Sequence, residues 1–176
     1  MSLEKIDAPG TLIGSGRVAL VLEYNGASYH GWQSQKSGHP TVQQYLETAL
    51  SSVANCPVEV VCAGRTDAGV HASHQVVHFN TTVARTQRSW VMGANANLPL
   101  DISVHWVGSV AESFHARFSA RSRRYRYVIY NNPVRSALFR EGLTWNYRPL
   151  DEQKMARAAQ HLVGRMASNP SRWLRT

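Results

Sequence analysis

The sequence predicts an α/β or α+β fold, a sheet with helices packed on it. Two observations carry this. Apolar, β-rich runs alternate with segments of helical period in the order strand, helix, strand, strand, helix, strand, strand, helix. At 43% hydrophobic and 17% charged residues, the chain has enough apolar surface to bury a core.

Each element has a local reason. Residues 1–16 hold Pro9, Gly10, Gly14 and Gly16 without periodicity, and read as a flexible tail. Arg17 to Tyr24 is an apolar run closed by Asn25-Gly26, a well-buried strand. Gly31 to Pro40 is a polar loop. Thr41 opens a helix, with Gln44 at capping-box spacing. Val42, Tyr45, Leu46, Ala49, Leu50 and Val53 fall on one face, and Pro57 stops it. Val58 to Cys62 and His74 to Phe79 are the next strands. Residues 86–97 are helical around Trp90, Val91 and Ala94, ended by Leu98-Pro99. Ile102 to Val107 is a strand, and Arg123 to Tyr130 is the clearest strand pattern in the chain. A last helix starts near Asp151, with Met155, Ala158, Ala159, Leu162 and Val163 inward and Gly164 as its stop.

The 176 residues suit one domain or slightly more. No apolar run of about 18 residues is present to form a membrane helix. Met1 to Gly16 lacks the layout of a signal peptide, so Cys56 and Cys62 read as reduced thiols of a cytoplasmic protein.

Charge is unevenly spread. Up to residue 110 there are six basic and seven acidic side chains; beyond it there are thirteen basic and four acidic. Of the nineteen basic residues, sixteen are Arg. Guanidinium forks suit phosphates and stack on bases, so the partner expected is a nucleic acid; high-GC coding is the competing cause of that bias.

The densest cluster of reactive types is Cys62-Ala-Gly-Arg-Thr-Asp-Ala-Gly-Val-His-Ala72, between two strands. Gly64 and Gly69 permit unusual backbone and close approach of a ligand. Arg65 and Asp67, two apart, share a face on extended backbone, where a charge pair holds both. The carboxylate suits a nucleophile, a general base or a metal ligand; the plainer alternative is a structural pair bracing a tight turn. His71, His74 and His78 with the two cysteines lack zinc-site spacing. Phosphate-loop, dinucleotide and nucleophile-elbow motifs are missing too.

A second cluster, Phe114 to Tyr127, holds Arg117, Arg121, Arg123, Arg124 and Arg126. On a strand Arg124 and Arg126 share one face, Tyr125 and Tyr127 the other. That suits phosphate contact with base stacking. It equally suits Tyr in a core and Arg in water.

Together these segments resemble the tRNA pseudouridine synthase A (TruA-type) family. The matching stretches are Glu23-Tyr-Asn-Gly26, Gly31-Trp-Gln33, Thr41-Val-Gln43, Ala63-Gly-Arg-Thr-Asp-Ala-Gly-Val-His-Ala72 and Gln75-Val-Val-His-Phe79. They continue through Leu98-Pro99, Asp101-Ile102, Phe114-His-Ala-Arg-Phe-Ser-Ala120 and Arg124-Tyr-Arg-Tyr127, covering about residues 17 to 164. The resemblance implies a mixed, largely antiparallel pseudouridine synthase-like sheet. It implies an isomerase that turns uridine into pseudouridine in the anticodon stem-loop of tRNA, on its 3′ side. Asp67 is then the essential aspartate that starts breakage of the glycosidic bond. Whether it attacks the sugar, adds to the base or removes a sugar proton stays open. Arg65 pairs with it and helps displace the target nucleotide from its stack. Tyr125 stacks on the target base. Gly64, Thr66, His71 and the arginines 117, 121, 123, 124 and 126 contact RNA. An isomerisation has no redox step, so neither cofactor nor metal is implied. The family acts as a homodimer, with tRNA across clefts of both subunits.

The resemblance also divides the chain. Residues 17–110 form the first half of the synthase fold with the catalytic loop, and 111–176 begin the second half. Family members continue past the Leu-x-Gly at 162–164 with a Gly-x-x-Asp-Phe-x-Ser-Phe segment. Here the sequence reads Gly164-Arg-Met-Ala-Ser-Asn-Pro-Ser-Arg-Trp-Leu-Arg-Thr176, atypical from 165 onward. The expectation is truncation or a slip of reading frame after about residue 164, which sequencing the gene decides. An incomplete second half leaves an uncovered sheet edge and exposed apolar surface, and lowers stability and activity. Two competing readings follow: an inactive RNA-binding remnant, and an α/β domain whose basic strand is incidental.

Overall fold

The computed structural model describes residues 11–36 and 38–164. In chain order the elements are β1 (Leu12–Ile13), β2 (Gly16–Tyr24), α1 (Val42–Ala54), β3 (Val61–Cys62), β4 (Ala72–Thr81), β5 (Arg85–Thr86), α2 (Gln87–Asn97), β6 (Ile102–Ser109), β7 (Ile129–Asn131), β8 (Thr144–Asn146) and α3 (Glu152–Gln160). The main sheet has strand order β3-β4-β2-β6 and is antiparallel throughout. The expected α+β class with a largely antiparallel sheet is what forms.

β2 is central because its sequence is apolar on both faces. Val18, Leu20, Leu22 and Tyr24 point to the helices, Ala19 and Val21 to the other side, and all six are buried. Against the first face lie Val42, Leu46, Ala49 and Leu50 of α1 and Trp90, Val91 and Ala94 of α2, with Val77, Phe79, Val104 and Val107 from the neighbouring strands. Tyr45, assigned inward from spacing, sits half-exposed at the edge of the stripe, edge-on to Tyr29 at 5.7 Å.

Several local expectations change. The capping box at Thr41 does not form: its hydroxyl caps nothing. Loop carbonyls do that work, Gly31 accepting from Val42 N at 3.3 Å and Trp32 from Gln43 N at 3.0 Å. The strand expected from Val58 shrinks to Val61–Cys62. The amides of Val58 and Val60 donate instead to Ser51 Oγ (2.9 Å) and Glu47 Oε1 (3.0 Å) of α1. The tail is anchored at its described end: β1 pairs antiparallel with β5, and Ile13 is buried. Residues 1–10 lie outside the described residues.

The largest differences fall after residue 120. The strand expected over 123–130 is reduced to β7, which pairs in parallel with β8. A strand exists only with a partner; among the described residues, 123–127 pair with no strand, and Val128 contributes only its carbonyl, to Thr144 N of β8 (2.8 Å). The alternation that placed arginines and tyrosines on opposite faces therefore has no sheet behind it; Arg121, Arg123, Arg124, Tyr125, Arg126 and Tyr127 are all exposed. α3 starts as expected, with Asp151 Oδ1 accepting from Lys154 N at 2.9 Å. It ends at Gln160, short of Gly164, and none of its residues is buried. Met155, Leu162 and Val163, expected inward, are exposed. An amphipathic pattern specifies a face that needs a cover, not the cover itself. Residues 165–176 lie outside the described residues.

The described residues fall into two compact units, one through Tyr125 and one from Arg126. Residues 111–123 are tied to the first unit. The Arg17 guanidinium donates to the carbonyls of Glu112 (2.6 Å) and Phe114 (2.9 Å), and Ala116 N donates to His78 Nδ1 (3.1 Å).

That last bond has a pH consequence. Burial, then the nearby His115 and Arg17 charges, lower the His78 pKa below its ordinary 6.5. In the unfolded chain His78 takes its proton near 6.5; in the folded one it does so only at lower pH. The unfolded state thus binds more protons in that window, so stability is complete above it and falls as pH drops through it. Denaturant titrations should show a lower midpoint at about pH 5.5 than at about pH 7.5. The difference should shrink in His78→Asn, whose amide oxygen accepts the bond without titrating. An equal drop in both proteins would assign the effect elsewhere.

Candidate active site

The loop between β3 and β4, residues 63–71, is fixed from several directions. On the strand side, Ala63 N donates to Val76 O (2.8 Å), and Gln75 Nε2 on β4 donates to Gly64 O (2.6 Å). From β2, the Tyr24 hydroxyl is 2.8 Å from Thr66 Oγ1. From the loop after β2, Trp32 N donates to Thr66 O (2.9 Å), and Tyr29 O accepts from Gly69 N (3.2 Å). Gly26 N donates to His71 Nδ1 at 3.1 Å. Finally, Arg123 donates to Ala63 O through Nε (3.0 Å) and Nη2 (2.7 Å), with Nη2 also reaching Arg117 O (2.9 Å).

Glycines make this interlock possible. A Cβ on Gly26 would lie 2.1 Å from Val70 O, and one on Gly31 2.8 Å from Thr66 O. Gly31 and Gly69 also hold φ of +87° and +77°, which side chains rarely adopt. Behind the loop, Tyr29 Oη donates to Asp101 Oδ1 and Asn25 N to Asp101 O (2.8 Å), so the loop after β2 is itself held.

Within this frame Arg65 and Asp67 are exposed, and Thr66 between them is half-buried. The ion pair expected between Arg65 and Asp67 is not formed. The Lys154–Asp151 ion pair lies elsewhere, at the start of α3, and His105 Nε2 stands 3.2 Å from Glu23 Oε2. Backbone and Thr66 hold the loop, which leaves both charged groups facing solvent. The result is a carboxylate and a guanidinium presented on a backbone whose positions are set before any ligand arrives.

The surroundings are perturbed in an interpretable way. Burial pushes the Tyr24 phenol up, against the opposing effect of its bonds to Thr66 and Gln75. Burial also pushes the Cys62 thiol up, partly offset by the positive charges of Arg65 and Arg117. Tyr29 is raised by burial and by the Asp101 carboxylate it donates to. Among the described residues no three His, Cys, Asp or Glu side chains are grouped as metal ligands.

Of the residues singled out from sequence, Gly64, Arg65, Thr66, Asp67 and His71 share this loop, and Arg117 and Arg123 adjoin it. One ring nitrogen of His71 is engaged by Gly26. Arg121, Arg124 and Tyr125 are exposed, and the structure links none of them to the loop; Tyr125 is 76% exposed. Arg126 lies in the second unit. Tyr24, Tyr29, Trp32, Gln75 and Asp101 were assigned no role from sequence, although all but Tyr29 fall in the stretches that carried the resemblance. Gln75, polar beside the apolar pair Val76-Val77, is the one local signal.

The family model described as tRNA pseudouridine synthase matches residues 20–119. A Pseudomonas aeruginosa protein named tRNA pseudouridine synthase A is 59% identical over 157 residues, 89% of this chain and 55% of its own. Proteins of the same name from Coxiella burnetii and Alcanivorax borkumensis are 57% and 58% identical over 148 residues, in each case 84% of this chain and 56% and 55% of their own. The chain spans about half the length of the curated relatives it matches.

Proposed function

The chain belongs to the tRNA pseudouridine synthase family, and from that premise we propose that it isomerises uridine to pseudouridine in the anticodon stem-loop of tRNA, with Asp67 starting the reaction. The observation that carries the reading is the exposed Asp67 next to Thr66, whose backbone oxygen and hydroxyl are both fixed by hydrogen bonds.

The chemistry fits these groups. The bond from uracil N1 to the sugar breaks, the base turns, and its C5 bonds the same sugar carbon. A proton leaves C5 and N1 gains one, so substrate and product are isomers. A carboxylate able to react at the sugar or base and a cation on the same braced loop meet that need without a redox partner. The target nucleotide has to leave its stack first, and Arg65 would be the cation that fills or guards the gap. Tyr125 is the aromatic proposed to stack on the displaced base. The arginines at 117, 121, 124 and 126 would neutralise phosphates, with Gly64 and His71 lining the approach. A tRNA substrate places the protein in the cytoplasm, and we propose a homodimer as its working form.

The test is tritium release from tRNA labelled at uracil C5, using this 176-residue chain. Release above background supports the proposal. No release, together with RNA binding that weakens steeply with salt, supports instead an RNA-binding remnant of the family. That second reading draws on the exposed apolar residues Leu138, Phe139, Leu162 and Val163 among the described residues of the second unit.

A further inference from the structure

The sequence groups Arg123 with the RNA-contacting arginines, but its Nε and Nη2 donors are already occupied. Nε and Nη2 converge on Ala63 O at 3.0 and 2.7 Å, and Nη2 reaches Arg117 O at 2.9 Å. Either fork that a guanidinium offers to a phosphate uses Nη2. Both Nη2 hydrogens are committed to backbone carbonyls, so only Nη1 is left for an outside anion. The next carbonyl along, Gly64 O, is held by Gln75 Nε2 at 2.6 Å. Gln75 is a buried side chain on β4, and the Tyr24 phenol on the adjoining β2 holds Thr66. Gly64 has a part in this: a Cβ there would come within 3.3 Å of Arg123 Nε, so a bare backbone lets the guanidinium lie close.

Two consecutive carbonyls, immediately before Arg65, are thus gripped by side chains from two different parts of the chain. We propose that Arg123 and Gln75 are positioning residues for the Arg65–Asp67 segment, and that Arg123 is not an RNA contact. The proposal rests on reading Asp67 as the reacting group. Lysine cannot replace Arg123, because one nitrogen cannot span the geometry of the fork.

The experiment compares wild type, Arg123→Ala, Arg123→Lys, Gln75→Ala and Arg121→Ala by amide hydrogen exchange. It adds binding to an anticodon stem-loop RNA over a range of salt, and single-turnover pseudouridine formation at saturating RNA. In Arg123→Ala and Gln75→Ala, amides of the 64–70 loop should exchange about tenfold faster while those of β2 and β4 stay as in wild type. The salt slope should not change. The single-turnover rate should fall about tenfold or more with half-saturation within about twofold. Arg123→Lys should rescue little. Arg121→Ala should lower the salt slope by about one and leave loop exchange alone. A reduced slope in Arg123→Ala with wild-type loop exchange makes it an RNA contact and overturns the proposal. Faster exchange throughout β2 and β4 does so as well, because it indicates general stability. If wild type forms no pseudouridine, the function proposed above fails, and loop exchange with the salt slope still decides whether Arg123 holds the loop.

Discussion

Replacing Asp67 with Ala should abolish pseudouridine formation, a loss on the order of a thousandfold or more, while changing RNA affinity less than about twofold. The asymmetry follows from where the residue sits. Asp67 is exposed at the tip of its loop and takes part in no ion pair among the described residues. The loop is anchored through Ala63, Gly64, Thr66, Gly69 and His71, and the carboxylate is not among those anchors. Truncating it should leave the loop in place. Removing a negative charge from a surface that meets phosphates cannot weaken RNA binding electrostatically. Tritium release and filter binding on the same preparation are the measurements. Retained activity in Asp67→Ala would falsify its assignment; lost RNA binding would mean that it holds the fold instead.

Gly26→Ala should cost about 3 kcal/mol of stability, at the upper end of overpacking effects. The added methyl would meet the Val70 carbonyl at 2.1 Å, with Val70 C at 2.6 Å and Val70 N at 3.1 Å. Those are backbone atoms, which cannot swing aside as a side-chain end can. Relief requires moving the loop after β2 or the segment that ends the candidate site. Either movement strains the bond from Gly26 N to His71 Nδ1. Activity should therefore fall along with stability. Gly14→Ala is the control, because nothing lies within 4 Å of a Cβ there. Urea midpoints that match for the two variants would show that the close approach at Gly26 is easily relaxed.

The comparison between sequence and structure separates two kinds of information. β2, α1, β4, α2 and β6 were readable because each buries a face whose periodicity is local, and the core they form comprises those faces. The site loop was readable because Gly-Arg-Thr-Asp-x-Gly-Val-His is a dense run of special residue types. Its bracing was not, since Tyr24, Trp32, Gln75 and Arg123 come from positions 11 to 60 residues away, measured to the loop residues they bond.

The errors share one cause. Arg123 to Tyr130 has strand composition, and residues 151–163 have a helical stripe, yet composition cannot supply a partner. Where none is present among the described residues, the strand shrinks to Ile129–Asn131 and the stripe lies open.

The sequence by itself determined the fold class, the order of the main elements, the family and the loop on which chemistry is expected. Only the tertiary structure decided that Arg65 and Asp67 stand apart instead of pairing, that Arg123 grips a carbonyl, and that the expected Arg/Tyr strand has no sheet to join. Periodicity is written residue by residue along the chain. Hydrogen-bond partners are set by which distant segments meet, and that is decided when the whole core closes.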